Sequence, residues 1–111
     1  MIKVPKTIPE KGYYYHYKHD PKGDVNNYAY EVIGVGCHTE DDCREQDQNL
    51  MVYRPLYKSS VYEAGRLFDI RPLEMWMEDV EVDGVSVPRF KLITDEEVIA
   101  QLDDIRTDMY D

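Results

Sequence analysis

The sequence predicts a mainly β fold, either a small SH3-like barrel or a strongly bent antiparallel sheet, followed by one C-terminal α-helix. Short segments rich in tyrosine and β-branched residues alternate with clusters of Gly, Pro, Asn and Asp, which is typical of strands and turns. The dipeptide Asp83-Gly84 between two valine-containing runs is a strong hairpin signal. At 111 residues the chain has the length of one domain.

The elements are expected in a simple order. Residues 1–11 contain Pro5 and Pro9 and are predicted to be an extended arm before a strand-rich core over residues 12–93. The strands predicted within that core are Gly12–Lys18, Tyr28–Val35, Leu50–Arg54, Leu67–Arg71, Glu78–Val82, Val85–Val87 and Arg89–Ile93. Loops are expected over His19–Asn27, His38–Gln48 and Lys58–Gly65, and Leu73–Met77 fits a strand or a single helical turn.

The first strand has an alternating pattern that separates two sets of side chains. Period two places Tyr13, Tyr15 and Tyr17 on one face of the sheet. Their neighbours Tyr14, His16 and Lys18 then lie on the other face. In the second strand Gly34 is expected to mark a bulge or a close backbone approach.

The last segment, residues 94–109, is predicted to be a helix. Thr94 and Glu97 fit a capping box, with Thr94 as the N-cap. Val98, Leu102, Ile105 and Met109 follow at spacings that place them on one helical stripe. The outer face of the helix carries Asp103, Asp104 and Asp108.

Charge limits the classes of partner. The chain carries a net charge of −10, and residues 59–111 account for −9 of it. Duplex nucleic acid is therefore an unfavourable partner, because affinity for it depends on neutralising phosphates with Lys and Arg. No apolar run approaches a membrane span, and the N-terminus lacks the apolar core of a signal peptide, so a cytoplasmic protein without a membrane partner is expected.

Five motifs in order resemble one known family. They are Tyr14-x-His16-Tyr17-Lys18, Tyr30–Gly34, Val52–Tyr57, Arg71-Pro72-Leu73 and Val87–Phe90. Together they resemble the DUF1653 family of small bacterial proteins of uncharacterised function, from Gly12 to about Ile93. The chain departs from that pattern in the polar segment His19–Asn27, where a very short turn is expected. It also departs at Phe68, where tryptophan is expected, and at Trp76, where phenylalanine is expected. The acidic helix lies outside the resemblance.

The shared motifs and the residue chemistry together define a candidate ligand-binding set. Its members are aromatic or cationic side chains: Tyr14, His16, Lys18, Tyr53, Arg54, Tyr57, Arg71 and Arg89. Arginine recognises carboxylate or phosphate with two-point geometry, and tyrosine offers a flat face with a polar tip. The competing interpretation is structural, because arginines near strand ends also pair with carboxylates such as Glu31 and Glu78.

Catalytic and metal chemistry are less well supported by the sequence. His16 is the one weak candidate for an acid or base, and no serine or cysteine is placed as its nucleophile. Cys37, His38 and Cys43 have no standard zinc spacing, and in a reducing compartment the two cysteines are expected to be free thiols. We therefore expect no metal and no cofactor.

Three functions remain open. The first is a non-catalytic module that binds a small anionic ligand, a peptide or a modified nucleotide on the aromatic and arginine surface. The second is a small enzyme acting on a nucleotide-like anion with His16 as acid or base. The third is an interaction subunit that docks a protein partner through the acidic C-terminal helix. The sequence favours them in this order.

Overall fold

The computed structural model describes residues 9–37, 49–65 and 68–110. Residues 1–8 of the arm predicted over residues 1–11, and the predicted loop His38–Gln48, lie outside the described residues. The strands are β1 Gly12–His16, β2 Ala29–Cys37, β3 Asn49–Pro55, β4 Asp69–Pro72, β5 Asp79–Val82, β6 Val85–Pro88 and β7 Phe90–Leu92. The helices are α1 Ser60–Glu63, α2 Leu73–Met77 and α3 Glu96–Tyr110.

Five strands form one antiparallel sheet in the order β4-β3-β2-β1-β7, and β5 and β6 form a separate two-stranded sheet. The mainly β class and the C-terminal helix are therefore confirmed. Within the described ranges β4 and β7 are the two edges of the larger sheet and do not pair with each other, so that sheet is open rather than a closed barrel.

Two local irregularities fall where the sequence predicts them. The register between β2 and β3 shifts between Val32 and Gly34, which is the bulge expected at that glycine. The β5–β6 hairpin turns at Asp83 and Gly84, whose φ angles are 51° and 80°. Positive φ at both central residues is the requirement of a tight type I′ hairpin, and glycine meets it without steric cost.

The two faces of the five-stranded sheet bury separate cores. The face covered by α2, called the α2 face below, buries Tyr14, Val32, Met51, Tyr53, Leu73, Trp76 and Phe90. The face covered by α3, called the α3 face, buries Tyr13, Ala29, Leu56, Ile93 and Leu102. Tyr13 and Tyr14 are neighbours on β1 and lie in different cores, which confirms the alternation predicted for this strand.

The N-cap of helix α3 lies one residue later than the predicted N-cap, Thr94. The Asp95 carboxylate accepts hydrogen bonds from the backbone N–H groups of Glu97 (2.9 Å) and Val98 (3.3 Å). Asp95 is therefore the N-cap, and the prediction of Thr94 is wrong, because the aspartate one residue on reaches the same orphan donors. Three of the four predicted members of the stripe are confirmed, because Leu102 is fully buried and Val98 and Ile105 pack against the same core. The fourth, Met109, is only partly buried, and Tyr110 packs against this core instead.

Three further segments refine the predicted elements. Lys58–Gly65 is not entirely a loop, because Ser59 caps the short helix α1 by accepting the backbone N–H of Tyr62. Leu73–Met77 adopts the helical alternative and buries Leu73 and Trp76. The start of the predicted strand at Leu67 lies outside the described residues. No helix in the described part of the chain is long and apolar enough to cross a membrane.

Candidate ligand-binding site

His16 lies at the end of β1 on the α2 face, opposite Phe90 of β7. Its ring meets the edge of Phe90 at a centroid distance of 5.1 Å and is nearly parallel to the Tyr28 ring at 5.6 Å. Its Nδ1 accepts a hydrogen bond from the backbone N–H of Lys18 at 3.2 Å. His16 is therefore a hydrogen-bonded histidine on the face of a strand.

The surroundings of His16 keep its imidazole neutral. Burial, the largest cause, and the positive charges of Lys18, Arg71 and Arg89 together lower the pKa of His16 from 6.5 to about 4. All three cations therefore act on the same ring, although they come from a loop, from β4 and from the segment before β7. Since Nδ1 is the acceptor, the neutral ring carries its proton on Nε2.

Arg71 extends from β4 over the aromatic surface of the α2 face. Its guanidinium lies 5.7 Å from the centroid of the Phe90 ring, and its Nε donates to the Tyr53 hydroxyl at 3.2 Å. Among the residues that the structure describes, Arg71 has no carboxylate within ion-pair distance. Its Nη groups therefore have donors to offer a ligand.

Arg89 is partly engaged in an ion pair within the protein. Its Nη2 donates to a Glu78 carboxylate oxygen at 3.3 Å, in an ion pair whose glutamate is 55% exposed. Its Nε is buried and has no acceptor in the described part of the chain. Such an exposed ion pair contributes little to stability, so Arg89 contributes mainly positive potential next to His16.

A row of tyrosines connects β2, β3 and the residues that follow β3. The Tyr30 and Tyr57 hydroxyls are hydrogen-bonded to each other, with an O–O distance of 2.5 Å. The Tyr30 ring also meets the ring of Tyr53 edge-on at 5.6 Å. Burial raises the pKa of both Tyr30 and Tyr57, and for Tyr30 the hydrogen bond to Tyr57 raises it further. These hydroxyls are therefore neutral hydrogen-bonding groups.

Asp69 acts on this row, because its carboxylate charge, in addition to burial, raises the pKa of Tyr30 and Tyr57. It lies opposite Tyr53 in the β3–β4 register. Burial raises the pKa of Asp69, while the nearby Arg71 charge opposes that rise. It makes no ion pair within the described ranges, so it influences Arg71 through space rather than by occupying its donors.

A recess of about 390 Å³ adjoins the tyrosine row. Its lining residues are Asp24, Asn26, Asn27, Tyr28, Tyr57 and Lys58. The Tyr28 ring is 40% exposed and lies 6.1 Å from the Tyr57 ring. The recess is therefore continuous with the α2 face through Tyr57.

The structure brings most of the predicted set together, in different roles. Tyr14 and Tyr53 are buried and support the site from below, with the Tyr14 hydroxyl donating to the backbone carbonyl of Glu10. His16 and Arg71 lie at the surface of the α2 face, and exposed Lys18 lies at its rim. The remaining two members on this side are half-buried Tyr57 and Arg89.

Arg54 is the exception, because it lies on the α3 face. Its Nε donates to Glu31 at 2.7 Å, and its guanidinium lies 4.0 Å from the Tyr110 ring centroid. Arg106 also approaches Glu31, at 3.8 Å. Tyr53 and Arg54 are consecutive in β3, so their side chains point to opposite faces. Arg54 therefore joins the sheet to α3 and does not reach the α2 face.

Sequence reasoning missed four residues that shape the site: Tyr28, Tyr30, Asn26 and Asp69. Tyr30 lies directly opposite Tyr14, so its place in the site required the β1–β2 register. Asp69 required the β3–β4 register, and Tyr28 required the conformation of the preceding loop, neither of which a single sequence supplies.

The metal hypothesis finds no new support. Cys37 is exposed at the end of β2, whereas His38 and Cys43 lie outside the described residues. The described ranges contain no group of three His, Cys, Asp or Glu side chains that converges on a metal position. The side chains on the α2 face supply positive charge, hydrogen-bonding hydroxyls and aromatic rings.

Comparisons with known proteins agree with the motifs found in the sequence. A family model described as a protein of unknown function (DUF1653) matches residues 12–92, which run from the start of β1 to the end of β7. A crystal structure of a DUF1653 protein from Bordetella bronchiseptica is 29% identical, with a TM-score of 0.50, covering 78% of this chain and 94% of that chain. A comparison with curated proteins found no match. The chain therefore belongs to the DUF1653 family.

Proposed function

We propose that this chain is a non-catalytic binding module that holds a small, planar, anionic ligand of the nucleotide type on its α2 face. The observation that carries the proposal is the environment of Arg71. It is a half-buried guanidinium beside a neutral histidine and a row of tyrosines, and no carboxylate within the described ranges pairs with it.

An anion is the ligand charge that this surface favours. Lys18, Arg71 and Arg89 all lower the pKa of His16, so they create positive potential at one place. The domain as a whole is strongly acidic, with a net charge of −10. A local positive site on an acidic protein selects small anions that reach it and repels long polyanions such as duplex nucleic acid.

A planar ligand is favoured because the exposed groups around Arg71 are rings. His16, Tyr28 and Tyr57 offer aromatic faces or edges, and burial of the hydroxyls keeps the tyrosine pair neutral. Stacking on such rings stabilises a bound base by about 1–3 kcal/mol without reading its sequence. A phosphate on Arg71 and a ring on these aromatics would use both kinds of group.

Catalysis by His16 receives less support from the same geometry. An imidazole with a pKa of about 4 is a weak base at neutral pH, and the best general bases titrate near the working pH. The raised pKa values of Tyr30 and Tyr57 make these hydroxyls poor nucleophiles. An enzyme acting on the same anion remains the alternative, with product formation as its test.

The remaining alternatives use other parts of the molecule. A protein partner docking on α3 would meet exposed Asp103, Asp104 and Asp108, whereas a peptide would share the α2 face. An open bent sheet can present a shallow site in the way that small SH3-like barrels do, and we retain that likeness as part of the proposal. The proposed setting is the cytoplasm of a bacterium, where nucleotides are abundant.

The test is binding of nucleoside 5′-monophosphates, measured by isothermal titration calorimetry. Arg71→Gln is expected to weaken binding about 10- to 100-fold, the effect of losing a charge-assisted hydrogen bond. The matched control is Lys91→Gln, which removes one positive charge from an exposed β7 residue on the opposite face. Lys91→Gln should bind like the wild type.

Two results would overturn the proposal. One is the absence of binding to the wild-type protein across the whole panel. The other is an equal loss of affinity in Arg71→Gln and Lys91→Gln, which would show a general charge effect and no site. Conversion of the bound nucleotide, followed by ³¹P NMR and abolished in His16→Gln, would establish the enzyme alternative.

A further inference from the structure

We propose that the recess beside Tyr28 holds the base of the ligand while Arg71 holds its phosphate, which makes a nucleoside 5′-monophosphate the ligand class. This inference rests on the proposed function and adds the position and orientation of the ligand. It places the base beside Tyr28 in the recess and assigns base-binding roles to Asn26 and Lys58, which the proposed function does not use.

The loop that carries Tyr28 is held in one conformation by its own side chains. The Asn27 amide accepts the backbone N–H of Asp20 at 2.8 Å and donates to the carbonyl of Asp20 at 3.0 Å. A ring nitrogen of His19 lies 2.7 Å from the Asn27 carbonyl oxygen, and the His19 ring stacks on Tyr15 at 3.5 Å. A loop fixed in this way loses little entropy when a ligand binds beside it.

Tyr28 itself adopts an unfavourable backbone conformation that orients its ring. Its φ is 52°, in the left-handed region that bulky residues rarely occupy. The conformation is held because the Tyr28 carbonyl accepts the backbone N–H of His16 at 3.0 Å, while the next residue, Ala29, donates to the Asn26 carbonyl at 3.1 Å. Strained residues of this kind cluster at ligand sites.

The orientation leaves a large aromatic ring at the surface. Tyr28 is 40% exposed although it lies close to the rings of His16 and Tyr57. A tyrosine that served only the core would be expected to bury more of its ring, as Tyr13 and Tyr14 do. The exposed face therefore supplies a stacking platform at the mouth of the recess.

Polar atoms around the recess suit the edge of a base. The Asn26 side chain donates through Nδ2 to the Leu56 carbonyl at 2.8 Å, which fixes the orientation of its amide. No donor within the described ranges reaches its Oδ1, so that oxygen can accept from an exocyclic amine. The ammonium of Lys58 lies on the rim and can donate to a ring nitrogen or carbonyl.

The recess and Arg71 are linked by ring contacts on the α2 face. The Tyr28 ring lines the recess and lies 5.6 Å from the His16 ring. The His16 ring lies 5.1 Å from the Phe90 ring, and the Arg71 guanidinium lies 5.7 Å from that same Phe90 ring. A single ligand with a ring at one end and an acid at the other fits this sequence of contacts. A volume of about 390 Å³ lies near the lower end of small-molecule sites, which also favours one base over an extended peptide.

The experiment uses ligand fragments to separate the two halves of the site. Adenosine supplies the base without phosphate, ribose 5-phosphate supplies phosphate without base, and adenosine 5′-monophosphate supplies both. Saturation-transfer NMR and calorimetry measure their binding to the full chain. The principal variant is Tyr28→Asn, because asparagine tolerates the left-handed conformation and removes the ring.

Two control variants separate the loss of the Tyr28 ring from other effects of substitution. Tyr28→Phe retains the stacking face and should bind all three compounds like the wild type. Tyr17→Ala removes a tyrosine that is 38% exposed and also contacts His16, at 4.4 Å, but does not line the recess. It should leave adenosine binding unchanged. The fluorescence of Trp76, the only tryptophan, monitors folding of every variant.

The expected results differ for each half of the ligand. Tyr28→Asn should weaken adenosine binding about tenfold and leave ribose 5-phosphate unaffected, whereas Arg71→Gln should do the reverse. Both variants should weaken adenosine 5′-monophosphate. Binding of ribose 5-phosphate through Arg71 with no effect of Tyr28→Asn on either adenosine compound would refute the base site and leave the proposed function standing. Adenosine binding at Tyr28 without any phosphate effect of Arg71 would refute the proposed function instead.

Discussion

The two faces of the five-stranded sheet use the same residue types in different ways. On the α3 face Arg54 is satisfied, with Glu31 at 2.7 Å and the Tyr110 ring at 4.0 Å. On the α2 face Arg71 has a tyrosine hydroxyl as its hydrogen-bond partner and no carboxylate pair in the described part of the chain. The partners of these two arginines therefore differ between the two faces.

The tyrosines show the same division. Those of the α3 face attach the sheet to the helix: the Tyr13 hydroxyl donates to Asp103, and the Tyr110 hydroxyl donates to the Pro55 carbonyl. On the α2 face the Tyr30 and Tyr57 hydroxyls bond to each other, the Tyr53 hydroxyl accepts from Arg71, and Tyr28 remains exposed. The α3 face is a completed structural interface, and the α2 face retains groups that a ligand can use.

The largest effect on stability is expected from a cavity in the core of the α3 face. Leu102 is fully buried, so Leu102→Ala should lower the free energy of unfolding by about 3 kcal/mol through lost burial and a cavity. Urea unfolding followed by Trp76 fluorescence measures this loss. The adjacent exposed residue is the control, and Gln101→Ala should change stability by less than about 0.5 kcal/mol. Equal effects of the two variants would mean that α3 does not pack as described.

The next effect separates the two arginines. Arg54→Ala should lower the free energy of unfolding by about 2 kcal/mol, because it leaves the half-buried Glu31 without its closest partner. Arg71→Ala should cost about 1 kcal/mol, since it loses one hydrogen bond to Tyr53. For nucleotide affinity the order should reverse. Urea unfolding and calorimetry on both variants check the two orders, and a larger stability loss in Arg71→Ala would contradict the assignment of the faces.

The third effect is a pH dependence that originates on the α2 face. The pKa of His16 is about 4 in the folded protein against 6.5 ordinarily, so between these values the unfolded chain binds a proton that the folded chain does not. Stability should therefore fall as the pH falls through this window, by at most ~1.4 kcal/mol per pH unit for this group. His16→Gln removes the proton site, so its unfolding free energy should fall less steeply. Parallel curves for the two proteins would contradict the half-buried neutral imidazole.

The smallest effect concerns where α3 begins. Asp95→Ala should cost about 1 kcal/mol, because the carboxylate caps the N–H groups of Glu97 and Val98. Thr94→Ala at the neighbouring exposed position should have an effect close to zero. Thermal unfolding monitored by circular dichroism compares the two. If Thr94→Ala loses as much stability as Asp95→Ala or more, Thr94 and not Asp95 is the N-cap.

Much of the fold follows from local chemistry in the sequence. The hairpin at Asp83-Gly84 is set by the residues that tolerate positive φ, and the stripe along α3 is set by helical spacing. The alternation of β1 correctly separates Tyr13 from Tyr14. The sequence does not fix the N-cap, because Thr94 and Asp95 are both good caps and the geometry of the chain entering α3 decides between them.

The candidate site was only partly within reach of the sequence. Applying strand alternation to β3 would have separated Arg54 from Tyr53, as it separated the residues of β1. The approach of Arg71 to His16 depends on the strand order β4-β3-β2-β1-β7, which arises from pairing between distant segments. The ring position of Tyr28 depends on hydrogen bonds within its loop, which composition alone does not specify.

The most direct test of the two-face account is the pKa of His16 measured by NMR titration of its ring protons. The wild-type protein should give a value of about 4. Removing the cation on the same face, in Arg71→Gln, should raise it, whereas removing an exposed cation on the other face, in Lys91→Gln, should leave it unchanged. An equal shift in the two variants, or no shift in Arg71→Gln, would contradict the convergence of His16 and Arg71 on one binding surface.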